Sequence, residues 1–392
     1  MFWKKQEDNQ KAKIALMLSG GGARAAYQVG VLKALADILP KEASNPFPIV
    51  CGTSAGAINA AAVAIYASQF REAIWRLVHV WGNFHVHQVF RSDFKGLSSS
   101  AMHWVAALTL GGLGKYNPVS LLDRAPLEEL LSHYLPFEKI QDSLDNGYLD
   151  SLCISASSYS DGNSVSFFQA NEEVEAWERM NRIGVKANIG LEHLMASSAI
   201  PFVFSAERIG GDFYGDGTMR QNMPTSPALH LGADKLFIIG NKHDALDTQL
   251  KKRVIKNPSL GQVAGHVLDS IFLDNVSMDV ERIQRINKNL DQIPNKHLPE
   301  NSTTFRKVEI IYISPSKDMY SIAQKHYNLM PKSVRLFLRG LGTSKERSSN
   351  LISYLLFEKE YCRELITLGY GDTLARKDEV LNFMEITEEK SN

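Results

Sequence analysis

The spacing of apolar residues changes from segment to segment along the chain, and it predicts alternating strands and helices. Lys13-Ile-Ala-Leu-Met-Leu-Ser19 is an apolar run of strand length that ends in Gly20-Gly21-Gly22. Ala25 to Leu35 then repeats apolar residues at helical spacing. Phe47-Pro-Ile-Val-Cys51 reads as a second strand, and Ala55 to Ala64 as a helix of small residues. Leu152–Tyr159 and Ser164–Gln169 read as strands around the turn Asp161-Gly162-Asn163, and Lys235–Gly240 as one more strand. Leu194–Phe204 reads as the end of a small-residue helix stopped before Pro201. The character changes beyond residue 250. Val263–Asn289 has an amphipathic helical pattern, Val308–Ser314 is a strand ended by Pro315, and Lys332–Gly340 is a basic amphipathic segment. Strands separated by helices predict an α/β fold: a mostly parallel central sheet with helices on both faces, plus a mainly helical C-terminal extension.

Composition narrows this picture without naming a chemistry. A chain of 392 residues is long enough for a large core and for two units. Its 43 basic and 43 acidic residues give no reason to expect nucleic acid as a partner. Three cysteines, Cys51, Cys153 and Cys362, are few and odd in number, which favours a reducing compartment over a disulfide framework. The first residues are charged and carry no apolar core of a secretory signal, and no run reaches the roughly 18 apolar residues of a membrane span. A cytoplasmic protein is therefore expected, peripheral at the inner face of the membrane if it touches lipid. Nothing in the chain predicts an oligomeric state.

Candidate chemistry concentrates in three glycine-rich turns. Gly52-Thr-Ser54-Ala-Gly56 follows the second strand and opens the small-residue helix. A serine on such a turn stands above the sheet, and the flanking glycines remove side chains that would crowd it. The helix N-terminus behind it points N–H groups at developing charge. Gly20-Gly21-Gly22 lies between the first strand and its helix and leaves backbone N–H groups free to face an anion. Gly20-x-Gly22-x-x-Ala25 also fits a dinucleotide fingerprint, but that fold needs an acidic residue at the tip of the second strand, where this chain has Cys51-Gly52-Thr53-Ser54. An oxyanion hole is the better reading of the loop. In the third turn, Gly215-Asp216-Gly217, Asp216 reads either as a turn aspartate capping its own backbone or as the base that takes the Ser54 proton.

These segments together resemble the patatin-like phospholipase family, lipid acyl hydrolases with a Ser–Asp dyad. The likeness rests on Gly20–Arg24, Gly52–Gly56, Ala196-Ser-Ser-Ala-Ile-Pro201 and Asp216-Gly217, in that order, and spans residues 14 to 240. Two positions depart from the family pattern: Ala25 stands for a usual glycine, and Thr218 for glycine or alanine after Asp216-Gly217. The resemblance implies a patatin-like catalytic domain over 14–240, behind an N-terminal tail at 1–13 and ahead of an extension at 250–392. It implies Ser54 as nucleophile and Asp216 as base, with Gly20, Gly21 and Gly22 as the oxyanion hole. Arg24, Gly52, Gly56 and Gly217 would support them, with no metal and no cofactor. The substrate would be a lipid ester, of phospholipid or lysophospholipid type. Arg24 reads as an anchor of its loop, an attractor of anionic head groups, or a plain surface arginine.

Other readings compete with this one. His230 and His243 follow Asp216 in the order of an α/β-hydrolase triad, which would make the protein a soluble esterase with a histidine base. His230, however, reads as part of a helix running toward Gly232, and His243 as part of a polar turn. A non-catalytic regulator that binds lipid or nucleotide is the remaining alternative. His79, His85 and His87 have no acid or cysteine near them at ligand spacing, so no metal is expected. The apolar run Ala101–Gly114 reads as a buried helix or as a cap touching the membrane, and Lys332–Arg339 as a surface helix or a contact with anionic lipid.

Overall fold

Strand β1 (Ile14–Leu18) turns Ile14, Leu16 and Leu18 to one face of a sheet and Ala15 and Met17 to the other. A strand buried on both faces needs this apolar alternation without polar relief, which is why it reads as a continuous run. The structure is a computed structural model and describes residues 12–91, 122–171, 174–201, 203–243, 263, 274–293, 306–340 and 351–386. The run Ala101–Gly114 lies outside the described residues.

The other strands are β2 (Ile49–Thr53), β3 (Ser151–Ser158), β4 (Ser164–Ala170), β5 (Trp177–Arg179), β6 (Arg182–Lys186), β7 (Glu207–Ile209), β8 (Asp212–Asp216), β9 (Lys235–Ile239) and β10 (Glu309–Ile313). They form one sheet in the order β10-β9-β1-β2-β3-β4-β6-β5, with β8 pairing β3 and β7 pairing β8 off this path. From β10 to β3 every neighbouring pair is parallel, while β4, β5, β7 and β8 bring in antiparallel pairs. The sheet is mixed and mostly parallel at its centre, as the alternation of strands and helices implies.

Helices cover both faces. On one face pack α1 (Ala26–Ile38), α2 (Ala55–Ile65), α3 (Phe70–Gly82), α4 (Ala125–Tyr134), α5 (Lys139–Asp145) and α6 (Leu191–Ser197). On the other, α7 (Ser226–His230) and α8 (Asp274–Asp291) bury Ala228, Val276, Val280 and Ile283 against Ala15, Met17 and Ile238. The C-terminal region is mainly helical: α9 (Met319–His326), α10 (Lys332–Gly340), α11 (Leu351–Leu355), α12 (Lys359–Leu374) and α13 (Lys377–Phe383). It is also built into the core, because β10 lengthens the sheet beside β9 and α12 lies along α1. The two helices touch backbone to backbone. A Cβ on Gly30 would strike the Ile366 carbonyl, and one on Gly369 the Tyr27 carbonyl.

Boundaries differ from the sequence expectation in instructive places. The second strand runs from Ile49 to Thr53, two residues later than the apolar run, because its pairing with β1 and β3 continues through Gly52. Helix α6 ends at Ser197, ahead of Pro201 as expected. Asp212–Asp216 is a strand, although Gly215 and Asp216 read as part of a turn.

Candidate active site

The register of three strands brings the candidate residues together. Thr53 at the end of β2 lies opposite Ser155 of β3, and Asp216 at the end of β8 lies opposite the next residue, Ala156. β2 and β8 thus meet end to end along β3, and the residue after Thr53 faces Asp216. The Ser54 hydroxyl donates to the Asp216 carboxylate at 2.6 Å, with both residues buried.

Ser54 sits between β2 and α2 at φ 54°, a left-handed conformation that costs a non-glycine residue energy. Its surroundings hold it there. Its backbone N–H donates to Ser197 Oγ at 2.8 Å, and that hydroxyl donates in turn to the Ser155 carbonyl at 2.6 Å. The carbonyl of Ser54 accepts from Ala57 N–H at 2.8 Å, which starts α2. Close packing explains the neighbouring glycines: a Cβ on Gly52 would lie 2.6 Å from Ala57 Cα and Ala60 Cβ, and one on Gly56 would strike the Leu18 carbonyl.

Asp216 has no solvent exposure and is held from several sides. Its N–H donates to the Ala199 carbonyl at 2.9 Å, and its carbonyl accepts from Ser157 Oγ at 2.9 Å. Its Oδ1 accepts from the Thr218 N–H at 3.0 Å and from the Thr218 hydroxyl at 2.6 Å, leaving Oδ2 for Ser54. Asp216 therefore caps its own turn and also holds the Ser54 hydroxyl. Burial pushes its pKa up to about 6, and the hydrogen bonds from Ser54 and Thr218 pull against that rise.

The glycine loop lies beside Ser54. Gly22 begins a short turn of 3-10 helix that continues into α1, and a helix start leaves its first N–H groups without intrahelical acceptors. Asn241 pins the loop from the end of β9: its Nδ2 donates to the Gly20 carbonyl at 2.9 Å and to the Ser19 carbonyl at 3.1 Å. Gln28 Nε2 also donates to the Ser19 carbonyl, at 2.7 Å. Arg24 is not a surface arginine, since it is 4% exposed and bonded to Ser353. Gly217 lies so close to β3 that a Cβ there would strike the Ser155 carbonyl.

From Ser54 an apolar cavity runs between α2, α3 and α4. Gly22 and Ser198 flank its serine end, while Ile58, Leu77, Trp81 and Leu131 wall it farther in. The space suits a hydrocarbon chain far better than a polar ligand.

The histidines lie elsewhere in bonding terms. His230 bonds the Ser226 carbonyl at 2.8 Å and stacks on Trp177, and His243 bonds the Pro315 carbonyl at 2.7 Å. Among the described residues no histidine hydrogen-bonds Ser54 or Asp216. His85 pairs with Glu358 and stacks on His87, while His79 stacks on Trp75. No group of three or more potential ligands among the described residues could hold a metal ion.

Ser197, Asn241 and Thr218 contribute more than sequence reasoning assigned them. The small-residue pattern around Ser197 signalled close packing, whereas Asn241 carried no local signal because its partners lie more than 200 residues away.

A model of the patatin-like phospholipase family matches residues 16–229. Among solved structures the chain is similar to VipD from Legionella pneumophila, at 13% identity and a TM-score of 0.37, covering 94% of this chain and 67% of that one. At that level the likeness adds nothing to the family match. No curated protein matches the chain.

Proposed function

The chain belongs to the patatin-like phospholipase family, a family of lipid acyl hydrolases, and we propose that it is a phospholipase A or lysophospholipase working through Ser54 and Asp216. The observation that carries this reading is the 2.6 Å hydrogen bond from Ser54 to a buried Asp216 at the head of an apolar cavity.

With the acyl chain in the cavity, Ser54 Oγ attacks the ester carbonyl while Asp216 Oδ2 accepts the hydroxyl proton. The tetrahedral oxyanion is held by N–H groups of the Gly20-Gly21-Gly22 loop, where losing one donor typically costs about 3 kcal/mol of transition-state stabilisation. Collapse breaks the ester bond, and the leaving alcohol takes the proton from Asp216. Water then attacks the acyl-enzyme, gives its proton to Asp216, and releases the fatty acid as Ser54 recovers its proton. A carboxylate raised to about 6 is a stronger base than a free aspartate and is still mostly ionised at neutral pH.

The reading extends to where the enzyme works. Among the described residues no helix is long and apolar enough to cross a membrane. Helix α10 carries Lys332, Arg335 and Arg339 beside the exposed Leu336, which supports a reversible contact with anionic lipid. The three cysteines are free and buried, consistent with a reducing, cytoplasmic setting.

The test is hydrolysis of a lipid panel by purified, folded variants. Ser54→Ala and Asp216→Asn are expected to lose activity by at least about 10³-fold, whereas His230→Ala and His243→Ala keep it. Activity lost only in a histidine variant would replace the dyad by a triad, and turnover retained in Ser54→Ala would leave the non-catalytic reading.

A further inference from the structure

The glycine loop is roofed by a part of the chain far beyond residues 16–229. Arg24 donates from Nε and Nη2 to Ser353 Oγ at 2.9 and 2.7 Å, and its guanidinium lies 4.4 Å over the Tyr354 ring. Gly22 adopts φ +55°, and a Cβ there would strike the Tyr354 carbonyl. Both partners belong to α11. Farther along the same segment, Phe357 lines the cavity that holds Ser54, with its ring centroid 6.3 Å from Trp81 and 5.9 Å from Phe84. Glu358 then accepts from the Val86 N–H at 3.4 Å and pairs with His85 at 3.0 Å. The segment is thus pinned to the loop at one end and to the cavity rim at the other.

A loop of glycines has no side chains with which to lock itself, yet its N–H groups must aim at the oxyanion closely for their effect to be realised. Arg24 supplies a planar, rigid fork for this, and a fork holds a loop only if its far end is fixed. Ser353 and Tyr354 fix it.

We propose that residues 351–358 complete the active site: Ser353 and Tyr354 position the Gly20–Arg24 oxyanion loop, and Phe357 shapes the acyl cavity and so selects the acyl chains it accepts. This rests on the reading of Ser54 as nucleophile and of the glycine loop as oxyanion hole. It gives the C-terminal region a role in the chemistry as well as in the fold.

Full-length Ser353→Ala, Ser353→Thr and Phe357→Ala are assayed on p-nitrophenyl esters of short, medium and long acyl chains, with thermal melts to check folding and Ser54→Ala as the control. Ser353→Ala is expected to lower kcat by about tenfold or more at every chain length, with KM changed by less than about twofold. Ser353→Thr keeps the accepting hydroxyl and restores most of the rate. Where Ser353→Ala does not fold, Ser353→Cys, a near-isostere with a weak acceptor, replaces it with the same expected loss. Phe357→Ala is expected to shift the preferred chain length. Wild-type kcat in a folded Ser353→Ala or Ser353→Cys overturns the positioning role, and an unchanged chain-length profile in Phe357→Ala overturns the cavity role. If Ser54→Ala is dead while these variants match wild type, this proposal alone fails. If Ser54→Ala stays active, the reading beneath it fails as well.

Discussion

Asp216 is pulled in two directions at once. Burial disfavours its charge, while two donors from Thr218 and one from Ser54 favour it, and the balance leaves it near 6. The base form exists above that value, so kcat/KM is expected to rise with pH through about 6 and to flatten above it. Thr218→Val removes the 2.6 Å hydroxyl bond to Oδ1 but keeps the backbone donor. Losing a donor to the carboxylate raises its pKa, so the acid limb of the pH–rate profile moves to higher pH; an unmoved limb would mean that Thr218 merely packs. Stability runs the opposite way. An aspartate whose pKa rises from 3.8 unfolded to about 6 folded binds its proton more tightly when native. Its contribution is fully favourable below the unfolded value and is lost as pH rises through the folded one. Asp216→Asn removes a buried charge that costs up to about 3 kcal/mol at neutral pH. Its Tm is expected to exceed that of wild type at pH 8, with the difference closing toward pH 4. A variant less stable than wild type at pH 8 would show that the carboxylate is not penalised by its burial.

The turn from β2 into α2 works because two glycines let a helix and two strands approach without side chains between them. Gly52→Ala would set a Cβ 2.6 Å from the α2 backbone at Ala57. Overpacking of this kind costs about 1–3 kcal/mol, and here it also tilts the turn that aims Ser54. A drop in Tm together with a fall in kcat is expected, and wild-type kcat in a folded Gly52→Ala would show that the turn tolerates the shift. This element was legible in the sequence because glycine, serine and alanine leave a local signature. The strand β8 was not: Asp212–Tyr214 pairs locally with β7, but Gly215 and Asp216 join the sheet by pairing with β3, more than 50 residues earlier. Arg24 was ambiguous for a similar reason. Its sequence neighbours do not reveal that Ser353, 329 positions away, takes its guanidinium.

At the scale of the whole molecule, the sheet and both helix layers follow from strand–helix alternation, and so did the prediction of them. The depth to which the C-terminal region enters the core did not. β10 reads as a lone strand until β9 is seen beside it, and the backbone contact of α1 with α12 depends on Gly30 and Gly369 meeting across the fold. The same region bears α10, where Leu336 is 54% exposed beside basic residues. Leu336→Asp is expected to lower activity on anionic vesicles more than on a short-chain soluble ester, and added salt to narrow the difference. Equal losses on both substrates, or none on either, would remove α10 from the membrane contact.

The central claim is that Asp216 makes Ser54 a nucleophile, and covalent trapping tests it most directly. Wild type and Asp216→Asn are incubated with a fluorophosphonate, and the adduct is located and timed by peptide mass spectrometry. The expected result is one adduct on Ser54 in wild type, forming at least about 10²-fold more slowly in folded Asp216→Asn. An adduct on another residue, or equal rates in the two proteins, would contradict the account.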